Sequence, residues 1–297
     1  MSEINIIMDE TWNAVKRNSS WLNETLNKYK IRINDKYEEL YGETQSIGGI
    51  ISKAPYGSIT AGSNSKLKTK TVQLIKNNLS DLNNLLGTDY FPSEEELSDS
   101  INIGYLKYVH AKIRSNFEEF KSVYPNDPPL FQIPAYLTTP RGISLILDVI
   151  FSPGDPSYST ITKKISLCNN RPNNIQQLFA LKKVDKRSIM HEYTHKITDK
   201  QGSQIRKSKS ARESIAYYSP KILYGKQDKE TDLDILIQDY FLLYLSRAII
   251  NNFNGEKDLE IHVNNAPETK IDIKGFASIM YLVDKKGESI IPEIMHM

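Results

Sequence analysis

The chain has 297 residues, 39% of them hydrophobic and 25% charged, which suits one large domain or two modest ones with a sizeable core. A net charge of +2 makes no case for nucleic acid as a main partner. The single cysteine, Cys168, excludes an intramolecular disulfide framework and a cysteine-based zinc site.

Residues Met1 to Glu10 carry no basic segment and no long apolar core. The expectation is therefore a cytoplasmic chain, or one exported or injected without a cleavable signal peptide. With no run of about eighteen apolar residues, no membrane span is expected. The sequence reads as helical through residue 124. Trp21 to Tyr41 is amphipathic, with Leu22, Leu26, Tyr29, Ile33 and Tyr37 near helical spacing. Residues 44–64 are rich in glycine and serine and read as loop. Val72, Ile75, Leu79, Leu82 and Leu86 alternate by three and four, which predicts a helix ending at Gly87. Ser93 and Glu96 form a capping-box pair. A further helical pattern runs from Leu106 through Val109, Ile113, Phe117 and Phe120.

Pro125, Pro128, Pro129, Pro134 and Pro140 then interrupt any helix. That places an N-terminal helical domain at 1–124, a Pro-rich linker at 125–140 and a second domain at 141–297. Gly142 to Phe151 reads as a buried strand. Ile161 to Cys168 alternates like a half-buried or edge strand.

His191-Glu192-Tyr193-Thr194-His195 is an HExxH pattern. Imidazoles at i and i+4 lie one turn apart on one helix face and can reach one tetrahedral zinc ion. The intervening Glu192 can take a proton from a zinc-bound water. Asp185 is a plausible N-cap for this helix, and Ile189, Met190 and Tyr193 supply its apolar face. The other histidines, His110, His262 and His296, stand elsewhere, so the pair is not part of a histidine tract. A catalytic zinc needs a third protein ligand and an open position. Glu213 follows His195 after 17 residues, on a short predicted helix capped by Ser208 or Ser210 and closed by Pro220.

HExxH followed by Glu213-Ser214-Ile215-Ala216-Tyr217-Tyr218 resembles the paired motifs of the gluzincin zinc metallopeptidases. The likeness covers about thirty residues. Ser214 stands where many members have glycine, and Arg212 where asparagine is frequent. The resemblance implies peptide-bond hydrolysis of a protein or peptide substrate. One Zn2+ per chain would be bound by His191, His195 and Glu213, with Glu192 as general base. Two other carboxylates compete for the third ligand position: Asp239 second and Asp199 third. The oxyanion needs a donor besides zinc. Tyr217 is put forward for that role, with Tyr218, Tyr224 and His262 as alternatives. The His195-Lys196-Ile197-Thr198 continuation is similar to short zincins that pathogens deliver as toxins or effector proteases.

Leu233 to Ile250 reads as a buried helix capped by Thr231. Leu259 to Val263, Lys270 to Ile273 and Ser278 to Val283 read as strands of a C-terminal β tail, with a turn at Lys285-Lys286-Gly287. The expected architecture is α+β: a zincin-like catalytic domain, built of a small sheet and active-site helices, preceded by a helical domain. The rival function is a non-catalytic interaction protein whose HExxH is degenerate or holds structural zinc.

Overall fold

Apolar residues recurring every three or four positions make most of this chain helical. The structure, a computed structural model, describes residues 3–53, 57–103, 157–160, 162–167, 182–200, 204–253 and 267–297. In chain order come α1 (Glu3–Arg17), α2 (Ser19–Tyr41), α3 (Ile47–Lys53), β1 (Ser58–Ala61), α4 (Asn64–Leu86), α5 (Glu94–Asp99) and β2 (Ile101–Ile103). After these follow β3 (Ser157–Ser159), β4 (Lys164–Leu167), β5 (Lys182–Asp185) and α6 (Lys186–Lys200). The last part holds α7 (Lys209–Tyr218), α8 (Lys229–Ile250), α9 (Pro267–Lys286) and α10 (Ile290–His296). Single 3₁₀ turns at Gln204–Lys207 and Ser219–Leu223 flank α7. The fold is α+β, mostly helical with short strands. Among the described residues no helix is long and apolar enough to cross a membrane.

Two compact units share the chain. One is drawn from 1–57, 74–92 and 186–297, the other from 58–73 and 93–185. In the second unit β1 pairs antiparallel with β5, Ser58 opposite Asp185. A separate three-stranded sheet has the order β2-β4-β3. Strand β4 therefore lies in the middle of that sheet, not at its edge, parallel to β2 and antiparallel to β3. Its alternation is as expected: Ile165 and Leu167 are buried, Lys164 and Ser166 half-buried.

In the first unit α2 packs along α8, and α9 packs on α1, α7 and α8. Trp21, Leu22, Leu26, Tyr29 and Ile33 of α2 meet Leu236, Tyr240 and Leu243 of α8 and Phe276 of α9 in one core. Each fully buried leucine or isoleucine there stabilises by roughly 1.5–3 kcal/mol relative to exposure. The local stop and start signals behave as the sequence suggests. Asn18 caps α2 by accepting the Trp21 N–H, and Gly42 ends it at φ 69°. Gly87, at φ 66°, ends α4, and Ser93 and Glu96 form both bonds of the capping box.

Several expectations need correction. The C-terminal tail is helix, not β: Lys270–Ile273 and Ser278–Val283 both lie inside α9. The buried residues Ile273, Phe276, Ala277 and Ile279 follow helical spacing. Gly287, at φ 80°, caps this helix by donating its N–H to the Val283 carbonyl, where a hairpin turn was expected. The stretch 44–64 is not all loop, since it contains α3 and β1. The cap of α8 is Asp228 rather than Thr231, which donates both its N–H and its hydroxyl to the Asp228 carboxylate. The helical pattern from Leu106 to Phe120, the prolines of 125–140, the strand at 142–151 and that at 259–263 lie outside the described residues.

Candidate metal centre

The HExxH segment forms the middle of α6. The helix follows directly on β5, and the Lys186 N–H donates to the Gly57 carbonyl at 2.9 Å. The Lys186 ammonium pairs with Asp228 at the start of α8. Ile189, Met190, Tyr193 and Ile197 are fully buried and fix the back of the helix. Thr194 lies 2.6 Å, hydroxyl to hydroxyl, from Ser219 in the 3₁₀ turn after α7. His191 and His195 lie one turn apart on the same helix, and both are buried.

Glu213 comes from α7, whose N-cap is Ser208, accepting from the Ala211 N–H. Ala211, Ser214, Ile215 and Ala216 bury one side of that helix. Where α7 crosses α9, Gly275 lies against Ser210 and Ser214, and a Cβ at 275 would come within 2.9 Å of the Ser210 carbonyl oxygen. Ser214 is thus faced by a glycine on the neighbouring helix.

These elements bring three donors together. The Nε2 atoms of His191 and His195 lie 3.1 Å apart. Glu213 Oε2 lies 3.0 Å from His195 Nε2 and 3.6 Å from His191 Nε2. The two imidazole rings are nearly perpendicular, at 87°. Ligands of a tetrahedral zinc with bonds of about 2.0–2.1 Å sit roughly 3.3–3.4 Å from one another. The three observed edges bracket that value, and two imidazole nitrogens with a carboxylate oxygen are a fitting donor set. The group is largely buried and could hold a metal ion.

Electrostatics favours the ligating forms. Burial pushes the His191 imidazole down to about 4, so it is neutral near pH 7. Burial by itself would raise Glu213, but the two imidazoles facing it outweigh that and hold its carboxyl well below the usual range. The Nδ1 atom of each histidine is buried with no hydrogen-bond partner among the described residues.

Around the triad, Glu192 Oε1 lies 3.9 Å from His191 Nε2. The Tyr217 ring packs edge-on against His191, centroids 4.5 Å apart. Burial first, then the negative charge of Asp272 and Glu213, pushes the Tyr217 hydroxyl up to about 12. The other tyrosine candidates are engaged elsewhere. Tyr218 donates to Glu288 at 2.8 Å, and Tyr224 lies under the Arg32 guanidinium. His262 is outside the described residues.

The two competing carboxylates are not in the cluster. Asp239 accepts from Tyr29 at 2.8 Å and from Lys221 at 2.7 Å. Asp199 faces Arg206 at 3.6 Å. Two arginines to which the sequence assigned no role lie near the triad. Arg187 stands one turn before His191, so its spacing could have announced it. Its side chain is 3.8 Å from Asp234, and its charge helps keep His191 neutral. Arg212 lies 3.4 Å from Glu213 Oε1.

No protein-family model, no curated protein and no solved structure matches this chain.

Proposed function

We propose that the protein is a zinc-dependent metallopeptidase of the gluzincin type that hydrolyses peptide bonds. One observation carries the reading. The donors of His191, His195 and Glu213 converge at 3.0–3.6 Å, with Glu192 beside them. Zinc held by these three residues would supply a water of lowered pKa and an electrophilic centre for a carbonyl oxygen.

The chain's own groups account for the rest of the reaction. Glu192, one residue after the first ligand and with its carboxylate at the edge of the donor cluster, accepts the proton of the attacking water. It then returns that proton to the leaving amine. Tyr217, protonated well above neutral pH, donates a hydrogen bond to the oxygen that gains negative charge. Neutral His191 keeps a lone pair for ligation at neutral pH. A structural zinc site takes four protein ligands and no water. Among the described residues the group offers three, which favours catalysis over a structural role.

Elemental analysis and a peptidase assay test the reading together. One zinc per chain is expected in the wild type, none in His191→Ala and much less in Glu213→Ala. Glu192→Gln is expected to keep its zinc and lose hydrolysis. Tyr217→Phe should keep zinc and lose about 100-fold in kcat, the cost typical of removing one oxyanion donor. A wild-type chain that takes up no zinc after reconstitution would sink the proposal.

A further inference from the structure

We propose that Arg212 is a positioning residue: it holds Glu213 to a single donor oxygen and so keeps one coordination position free. The inference rests on the metal reading above. Neighbouring residues on a helix project about 100° apart, so Arg212 and Glu213 do not face each other by default. The guanidinium nevertheless reaches sideways, its Nη2 3.4 Å from Glu213 Oε1. The other oxygen, Oε2, faces His195 at 3.0 Å and His191 at 3.6 Å. The carboxylate is thus divided, one oxygen to the arginine and one to the histidines.

That division has a chemical consequence. A carboxylate can bind a cation through one oxygen or through both. Two imidazole nitrogens and one oxygen make three ligands and leave the fourth tetrahedral position for water. A freed Oε1 could swing to the metal and crowd that position. Arginine suits the task because it stays charged at any working pH and offers several donors but no acceptor. Its side chain here is only 25% exposed, so bulk water screens the contact weakly.

The test uses the full chain with Arg212→Gln and Arg212→Lys, read by zinc titration against a chelating indicator and by the visible spectrum of the cobalt(II)-loaded protein. Thermal melts confirm folding. Arg212→Gln is expected to lose about 10–100-fold in zinc affinity, as outer partners of metal ligands typically do. Its cobalt spectrum should weaken toward that of a higher coordination number. Arg212→Lys, which keeps the charge, should recover part of the affinity. Wild-type affinity and an unchanged cobalt spectrum in Arg212→Gln would overturn the role of Arg212 and leave the metal site intact. So would a lysine variant no better than the glutamine one. A wild-type chain that binds neither zinc nor cobalt would overturn the metal reading, and this inference with it.

Discussion

His191 is an imidazole buried next to His195 and Glu213, and its burial sets a pH dependence. Its folded-state value, about 4, lies below the ordinary 6.5. The unfolded chain then takes up a proton that the folded chain refuses. Stability of the metal-free protein should therefore fall as pH drops from about 6.5 toward 4, by on the order of 3 kcal/mol from this residue. Glu213 acts with the same sign. Its carboxyl is held low in the fold, so its contribution is present above its unfolded value near 4.5 and is lost in acid. Urea unfolding in the presence of a chelator at pH 7.5, 5.5 and 4 checks this, and a flat profile would contradict the buried neutral imidazole. Protons compete for the His191 nitrogen only as pH falls to about 4, so any zinc affinity should hold down to that pH as far as this residue sets it.

At the scale of elements, two helices and the glycine between them govern the site. Helix α7 carries Glu213 and Tyr217, and α9 backs it through Gly275. Gly275→Ala would press a methyl group on the Ser210 carbonyl and the Ser214 side chain. Overpacking of this kind costs about 1–3 kcal/mol. The α7 backbone must yield, so zinc affinity should drop along with stability, and adding Ser214→Gly should restore part of both. Equal stability and affinity in Gly275→Ala would show slack between the helices.

Helix α8 supplies a contrasting case in Asp239. This buried carboxylate pairs with Lys221, whose ammonium also donates to the Tyr29 hydroxyl at 2.7 Å. Asp239→Ala strands a cation that is 20% exposed and should cost about 3–5 kcal/mol. Zinc affinity should stay at the wild-type level. A matching loss of zinc would return Asp239 to the ligand set.

For the whole molecule, the decisive feature is that the N-terminal helices share one core with α8 and α9, and α9 packs on α7, the helix that carries Glu213. Trp21, Leu26 and Ile33 of α2 cover Leu236, Tyr240 and Leu243 of α8. A fragment of residues 141–297 would expose that face. It should lack a cooperative thermal transition and bind zinc far more weakly than the full chain. Calorimetry and zinc titration of the fragment decide the point. A sharp transition with full affinity would mean that the core closes without α1 and α2.

The sequence alone determined what depends on local spacing. His191 and His195 share a helix face because 3.6 residues make a turn. Trp21 to Tyr41 and Val72 to Leu86 are helices because their apolar residues keep that period, and Gly42, Gly87 and Ser93 mark ends because of backbone geometry. The tertiary structure decided what depends on distance across the chain. Spacing could not choose among Glu213, Asp239 and Asp199, since each is a carboxylate within reach of some fold. Only packing put Glu213 against the two imidazoles and gave Asp239 to Lys221. Likewise the isoleucine-rich stretch after Pro267 is compatible with strand or helix taken by itself. It becomes helix because Ile273, Phe276 and Ala277 find a core to enter together, and that core is assembled from α8 and from α1 and α2, the last two more than two hundred positions away.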